Sequence, residues 1–101
     1  MIEEWAPAPY QKIEVAAEEL KAIIRATYPA AQFQFARAAD DRDAWNLWTL
    51  VEADDLDDVS ALTKDREIDM LVEENIPLYV IPTRGRERFT QRVADAVRKT
   101  G

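Results

Sequence analysis

The chain has 101 residues, 48% hydrophobic and 9% aromatic, which suits one folded domain and is too apolar for a disordered segment. It contains no cysteine and no histidine, which excludes disulfides, thiol nucleophiles, imidazole bases and the usual zinc sites. The net charge of −7 repels nucleic acid, so we expect no nucleic-acid partner.

The first ten residues, MIEEWAPAPY, form a lead-in whose two prolines do not suit a helix interior. Acidic residues stand where a signal peptide carries basic ones, and no apolar run reaches the ~20 residues of a membrane span. We therefore expect a cytoplasmic protein without membrane contact. Residues 1–101 are predicted to form a single domain, with the lead-in at 1–10 and the core at 11–83.

A helix is predicted from 11 to 28, because apolar residues recur there with a 3.6-residue period before a proline. QFQFAR at 32–37 alternates polar and apolar residues, which is typical of a half-exposed strand with Phe33 and Phe35 on one face. The polar stretch 38–43 follows and predicts a turn.

AWNLWTLVEA at 44–53 is apolar on both faces, which predicts a central strand covered on both sides. A helix over 55–74 follows. Its apolar period slips near 63–66, where we expect a bend or two abutting helices. Asn75 suits the left-handed residue that ends many helices, and PLYVIPT at 77–83 predicts a short strand.

Residues 84–101 predict a basic turn and a last helix. They hold six basic side chains against two acidic ones, a net charge of +4, so the rest of the chain carries −11. The predicted order of elements is therefore α-β-β-α-β-α. We expect an α/β (α+β) fold with helices packed on a small mixed three-stranded sheet. The first two strands would form an antiparallel hairpin, and the unit at 44–83 a parallel crossover.

The acidic stretch DDLDD at 54–58 has two interpretations. Asp54 and Asp57 could hold Mg²⁺ or Ca²⁺, which prefer carboxylate oxygens, in a metal-dependent nucleotidyltransferase or hydrolase. However, the glycine of a calcium loop is missing, and residues at this spacing do not share one helix face. We favour the second interpretation, in which Asp54 or Asp55 caps the helix and the other aspartates stabilise its positive end. No metal ion or other cofactor is predicted.

The order of elements over 11–83 resembles the minimal nucleotidyltransferase fold, and EENIPLYVIP resembles a segment of short uncharacterised bacterial proteins. In the nucleotidyltransferase family a first strand ends in Gly-Ser-Arg-Ala and a second carries Asp-x-Asp. QFARA at 34–38 and WNLWTLV at 45–51 lie at these positions. The family's motifs can therefore be compared with this chain residue by residue.

The resemblance implies that Phe35 and Ala36 replace the family's glycine and serine, and that Asn46 and Trp48 replace its aspartates. Nucleotidyl transfer needs divalent metals to hold the triphosphate, which these side chains cannot supply. The resemblance thus implies a degenerate member of the fold, and no catalytic residue is predicted.

The turn TRGRER at 83–88 joins the last strand to the last helix. Arg84, Gly85 and Arg86 beside a helix N-terminus are typical of an anion site, which would bind a nucleotide or a phosphorylated small molecule. In the alternative interpretation, the arginines are solvated or pair with the acidic body of the chain, and Gly85 serves only the turn.

The second face of the central strand carries Trp48 and Leu50, which must be covered. We expect the last helix, through Phe89 and Val93, and a second copy of the sheet to share in covering them. The predicted function is a non-catalytic binding or regulatory module that acts through protein–protein contacts, as a homodimer or a subunit of a larger assembly. Anion binding and metal-dependent catalysis are the alternatives.

Overall fold

The computed structural model describes residues 8–38 and 43–100, with six elements in the predicted order, which confirms the α+β class. The helices are α1 (Tyr10–Thr27), α2 (Leu56–Glu74) and α3 (Arg86–Thr100). The strands are β1 (Gln32–Arg37), β2 (Trp45–Leu50) and β3 (Leu78–Thr83). Most of the predicted lead-in and part of the predicted turn at 38–43 lie outside the described residues. Within the described ranges, no helix is both long and apolar enough to cross a membrane.

The sheet has the strand order β1-β2-β3, so β2 is the central strand, as predicted. β1 pairs with β2 antiparallel, from Gln32 opposite Leu50 to Arg37 opposite Trp45. β3 pairs with β2 in the parallel sense, as expected for two strands joined through a helix. β1 and β3 are therefore the two edges of the sheet.

One face of the sheet is covered by α1 and α2. Helix α1 buries a stripe of residues with helical spacing: Ile13, Ala16, Ala17, Leu20 and Ile24. Most of this stripe packs against Leu47 and Leu78 of the sheet and against Met70 of α2, all of which are fully buried. Phe33 and Phe35 of β1 pack at the margin of this core. Each large apolar side chain buried here stabilises the fold by roughly 1.5–3 kcal/mol.

Helix α2 is continuous from Leu56 to Glu74, so the alternative of two abutting helices near 63–66 is wrong. The apolar period slips there because the inner face of α2 carries polar side chains. Thr63 is fully buried, and its hydroxyl donates to Glu67 Oε2, one turn later, at 2.7 Å. A hydrogen-bonded polar pair therefore occupies positions where a periodic pattern leads one to expect apolar residues.

Both ends of α2 follow the prediction. Asp55 is the N-cap residue, and its Oδ1 accepts a hydrogen bond from the N–H of Asp57 at 2.9 Å. This bond satisfies one of the donors that the first turn of a helix leaves without a partner. Asn75 ends the helix in the left-handed conformation, with φ 58° and ψ 38°, and the next N–H, that of Ile76, donates to Met70 O at 2.9 Å.

Helix α3 lies on the other face of the sheet, against β2 and β1. The guanidinium of Arg92 stacks over the indole of Trp48, with its Cζ 5.1 Å from the ring centroid. Nη1 of the same arginine donates to Thr83 Oγ1 at 2.9 Å. A single charged side chain thus ties α3 both to the central strand and to an edge strand.

Candidate functional site

The two edges of the sheet differ in the hydrogen-bonding groups that they present. The carbonyls of Pro77, just before β3, and of Thr83, its last residue, accept from the N–H groups of Trp45 and Val51, at 2.8 and 3.1 Å. Because backbone groups alternate in direction along a strand, the odd-numbered residues of β3 face β2. The even-numbered residues Leu78, Val80 and Pro82 therefore point outward from the sheet.

Every outward position of β3 lacks a free N–H. The N–H of Leu78 donates to Ile76 O at 3.0 Å, and that of Val80 donates to Glu67 Oε1 at 2.9 Å. Pro82 has no N–H at all. This edge therefore offers no donor to a further strand, which is how many natural sheets avoid unwanted pairing.

Glu67 is the residue that closes the β3 edge, and sequence analysis did not single it out. One carboxylate oxygen accepts from the Thr63 hydroxyl and the other from the Val80 N–H. Burial raises the pKa of Glu67, and the two hydrogen bonds partly offset that effect. The only signal in the sequence is that Thr63 and Glu67 are spaced by one helical turn at the point where the apolar period slips.

The outer edge of β1 is open in the sense that none of the described residues pairs with it. The N–H of Ala38 donates to Ala44 O at 2.9 Å, so the even-numbered residues of β1 face β2 and the odd-numbered ones point outward. The N–H groups of Phe33 and Phe35 have no hydrogen-bond partner within 8–38 and 43–100. The strand contains no proline, lysine or acidic residue that would discourage pairing.

Aromatic side chains flank this open edge. Tyr10, at the start of α1, lies 6.2 Å from Phe35 and 5.3 Å from Trp45, measured between ring centroids. Phe35 and Trp45 are stacked at 4.8 Å. Tyr10 is 48% exposed, and the other two rings are half-buried. We call Tyr10, Phe35 and Trp45 the aromatic cluster.

Two arginines stack on the rings beside the open edge. The Cζ of Arg37 lies 4.6 Å from the centroid of Trp45, and that of Arg25 lies 4.9 Å from the centroid of Phe33. Guanidinium groups are attracted to the faces of aromatic rings. The surface next to β1 therefore combines aromatic rings with positively charged side chains, although the chain as a whole is acidic.

A cavity of about 400 Å³ lies next to the carboxyl-terminal ends of β2 and α1. Its lining includes Tyr28, Leu50, Glu52 and Arg86. In open α/β sheets this end of the strands is a common place for ligands. Here it holds one positive and one negative side chain, both exposed to solvent.

The predicted anion-binding residues have separate surroundings. Nη1 of Arg84 donates to Ala53 O at 3.2 Å and to Asp54 O at 2.7 Å, which fixes the connection between β2 and α2. Gly85 has φ 85°, a left-handed conformation that glycine adopts at no steric cost. Arg86 lines the cavity. Arg84 thus serves the fold, and Arg86 faces space that a ligand could enter.

The aspartates at 54–58 lie at the start of α2. Asp55 caps the helix, and Asp57 and Asp58 lie in its first turn, where the helix dipole favours negative charge. Among the residues that the structure describes, no three acidic side chains come together in a group that could hold a metal ion. Asp54 contributes its backbone carbonyl to the bond with Arg84.

The predicted interface residues are largely covered within one chain. Trp48 and Leu50 are each 7% exposed, and Phe89 and Val93 of α3 are half-buried. The indole Nε1 of Trp48 is buried and has no hydrogen-bond partner among the described residues. The face that sequence analysis assigned to a shared interface is therefore occupied in large part by α3.

The positions matched to the nucleotidyltransferase motifs lie in two places. Phe35 belongs to the aromatic cluster at the open edge. Ala36, Asn46 and Trp48 lie on the α3 side of the sheet, the first two half-buried and the last buried. None of the four carries a carboxylate.

Comparison of the chain with protein-family models, with curated proteins and with solved structures found no match. Its function must therefore be inferred from its own residues. In the part of the chain that the structure describes, two surfaces can bind a ligand. The outer edge of β1 presents unpaired N–H donors beside the aromatic cluster, and the cavity beside Arg86 has a charged lining.

Proposed function

We propose that the protein is a non-catalytic binding or regulatory module that acts through protein–protein contacts, with the outer edge of β1 as its binding surface. The observation that carries this proposal is the difference between the two edges of the sheet. Among the residues that the structure describes, the N–H groups of Phe33 and Phe35 have no hydrogen-bond partner, whereas proline, a local turn and Glu67 remove every donor from the outward side of β3.

In this proposal an extended segment of a partner adds to β1 as a fourth strand. Its carbonyls accept from the N–H groups of Phe33 and Phe35, and its own N–H groups donate to the carbonyls of the same residues. Its side chains on the helix side of the sheet meet the aromatic cluster. Main-chain bonds supply affinity, and the partly exposed rings select apolar or aromatic side chains.

The residues at the catalytic positions of the nucleotidyltransferase resemblance support the non-catalytic part of the proposal. Ala36, Asn46 and Trp48 offer no carboxylate to a divalent metal. The acidic run at 54–58 is engaged at the start of α2, where Asp55 caps the helix. The resemblance would then describe a fold that has kept its order of elements and exchanged catalysis for binding.

The proposal is tested by selecting displayed random peptides against the protein and mapping their binding by amide chemical shifts. We expect the selected peptides to adopt extended conformations and to shift Phe33 and Phe35. The amides of these two residues should exchange rapidly with solvent in the free single chain and slowly in the peptide complex, because the added strand supplies their acceptors.

The internal control is Gln34, whose N–H faces β2 in the register of the hairpin. Its amide should be protected from exchange with or without peptide. Peptides that instead shift Arg86 and Glu52, and leave Phe33 and Phe35 unchanged, would contradict the proposal and favour the cavity as the binding site.

A further inference from the structure

We propose, further, that the strand added to β1 is the β1 strand of a second copy of this chain. The two strands run antiparallel about a two-fold axis at Gln34, and form a continuous six-stranded sheet. This inference rests on the proposed function, because it uses the same edge. It goes beyond that function by naming the partner and the register of the pairing.

The register follows from which backbone groups are still unpaired. In an antiparallel ladder, two outward-pointing residues that lie opposite each other exchange two hydrogen bonds. When Phe33 lies opposite Phe35 of the second copy, and the reverse, all four N–H groups of these residues find carbonyl acceptors. Gln34 then lies opposite its own copy as a non-hydrogen-bonded pair on the axis.

Neighbouring registers conflict with contacts already present in the chain. A shift of two residues in one direction places Arg37 opposite Phe33 of the second copy, whose ring already carries Arg25, so like charges would meet. A shift in the other direction places Phe35 opposite Ala31. The N–H of Ala31 already donates to Tyr28 O at 3.0 Å, so Phe35 would lose the hydrogen bond that its carbonyl accepts. In the proposed register Ala31 lies opposite Arg37, at the end of the ladder, and the bonds of Phe33 and Phe35 are complete.

Side chains on both sides of the paired strands suit this register. On the helix side, each Phe33 lies opposite a Phe35, and aromatic pairs are among the most favourable across two strands. On the other side, Gln34 is exposed, and two facing amides can exchange hydrogen bonds. The segment Gln32–Arg37 contains one charged residue, so the pairing brings no like charges directly opposite each other.

The charges on α1 also suit a two-fold axis. The stacking of Arg25 on Phe33 identifies the flank of α1 that faces the open edge, and the helical period puts Glu14 and Lys21 on the same flank. Glu18 lies on this flank too and already forms an ion pair with Lys21, from Oε2 to Nζ at 2.7 Å, so these two charges offset each other. A two-fold axis normal to the sheet sets α1 antiparallel to its copy. The half of the helix that carries Glu14 then faces the half that carries Arg25, so opposite charges approach.

The closed β3 edge limits the assembly to two copies. After β1 pairs with β1, both ends of the six-stranded sheet are β3 strands, whose outward positions have no free N–H. A third copy would find no donors there. A closed dimer therefore forms, and a fibril does not.

Single-cysteine variants test the axis, because the native chain has no cysteine. In Gln34→Cys the two thiols face each other across a non-hydrogen-bonded pair, where the Cα atoms are about 4.5 Å apart, within disulfide range. We expect air oxidation to give a covalent dimer. Gln32→Cys is the matched control: it is equally exposed, and its two copies would be roughly 13 Å apart, or four residues at ~3.3 Å each.

A charge exchange tests the same contact without oxidation. Gln34→Glu and Gln34→Lys each place like charges on the axis, so each variant alone should dimerise about fivefold more weakly than wild type in sedimentation equilibrium. An equimolar mixture should recover the wild-type affinity through Glu–Lys heterodimers. Gln11→Glu, an exposed change on α1, controls for the altered net charge.

The outcomes separate this inference from the proposed function. A wild type that remains monomeric at every concentration would overturn the second copy as partner, and equal disulfide yields at positions 32 and 34 would overturn the proposed register. The proposed function would still stand if displayed peptides bind at Phe33 and Phe35. A dimer whose charge-exchange mixture shows no recovery would also overturn the proposed register.

Discussion

The side chain of Glu67 connects two elements of the fold. It joins the inner face of α2 to the outward side of β3 through two hydrogen bonds, one from a side chain and one from the backbone. Val80 N–H would otherwise be a free donor on a strand edge. The carboxylate does this from a partly buried position that disfavours its own charge, because burial raises the pKa of Glu67.

The raised pKa of Glu67 predicts a pH dependence of stability. The folded protein holds a proton at this site more tightly than the unfolded chain does. Its contribution to the free energy of unfolding therefore falls as pH rises from about 4.3, the ordinary pKa of Glu, through the higher folded pKa. Glu67→Gln removes this titration. We expect the variant to gain stability relative to wild type between about pH 4.3 and 7 in urea denaturation.

Glu19→Gln is the control, because it should behave in the opposite sense. Glu19 accepts from Arg66, and these hydrogen bonds lower the pKa of Glu19. Its contribution is present above the ordinary pKa of Glu and is lost as pH falls through the lower folded pKa. Glu67→Gln and Glu19→Gln curves with the same slope would contradict the assignment of the effect to Glu67.

The cap at Asp55 gives a second prediction at this scale. Asp55→Ala removes the acceptor for Asp57 N–H and should lower the free energy of unfolding by about 1 kcal/mol, or the melting temperature by roughly 4–8 °C. Asp54→Ala is the matched control and should change little.

Millimolar Mg²⁺ should leave the melting temperature of wild type unchanged. A rise that Asp54→Asn with Asp57→Asn abolishes would favour a metal site.

At the scale of elements, the sequence predicts the type and the bounds of a helix or strand well where one physical signal dominates. The alternation in QFQFAR predicts β1 with the borders that the structure has, and Asn75 marks the end of α2. The alternative of two abutting helices in the middle of α2 is wrong, because Thr63 and Glu67 form a hydrogen bond with each other there and the helix continues. The second partner of Glu67 is Val80, which is 13 residues away and has no local signature.

Helix α3 is attached to the sheet by fewer buried side chains than α1, and Arg92 is central to that attachment. We predict that Arg92→Ala speeds exchange of the Trp48 indole N–H by about tenfold. The variant loses a cation–π contact and a hydrogen bond that oppose local opening. Arg88→Ala, an exposed change on the same helix, should leave this exchange unchanged. Equal exchange in both variants would mean that other contacts hold α3.

At the scale of the whole molecule, the asymmetry of the sheet could be predicted only in part. The sequence shows a proline in β3 and none in β1, which hints at the difference. It does not show that Glu67 reaches Val80, or that Tyr10 lies against Phe35 and Trp45, since those contacts depend on how α1 and α2 cross the sheet. The sequence predicts that α3 and a second copy share in covering Trp48 and Leu50, but it does not show that each is only 7% exposed within one chain.

Opening the β3 edge should change the assembly of the whole protein. Glu67→Ala with Pro82→Thr gives Val80 a free N–H and restores a donor at position 82. We expect this double variant to form species larger than a dimer in light scattering, because both edges of each sheet can then pair. Glu67→Gln, which keeps an acceptor for Val80, is the control and should not do so. If light scattering gave the double variant the same size as wild type, steric cover by α2 alone would be enough to keep β3 from pairing.

The absence of free N–H donors on the outward side of β3 limits how many copies can join in one sheet. In polymer chemistry, a molecule with one reactive end cannot extend a chain, and it terminates any chain to which it adds. This protein has one reactive edge in that sense, since only β1 presents free donors in the part of the sheet that the structure describes. If this protein were added through β1 to a growing stack of paired strands, the stack would end in β3. Growth would stop there, because the outward side of β3 has no free N–H group to donate to the next strand.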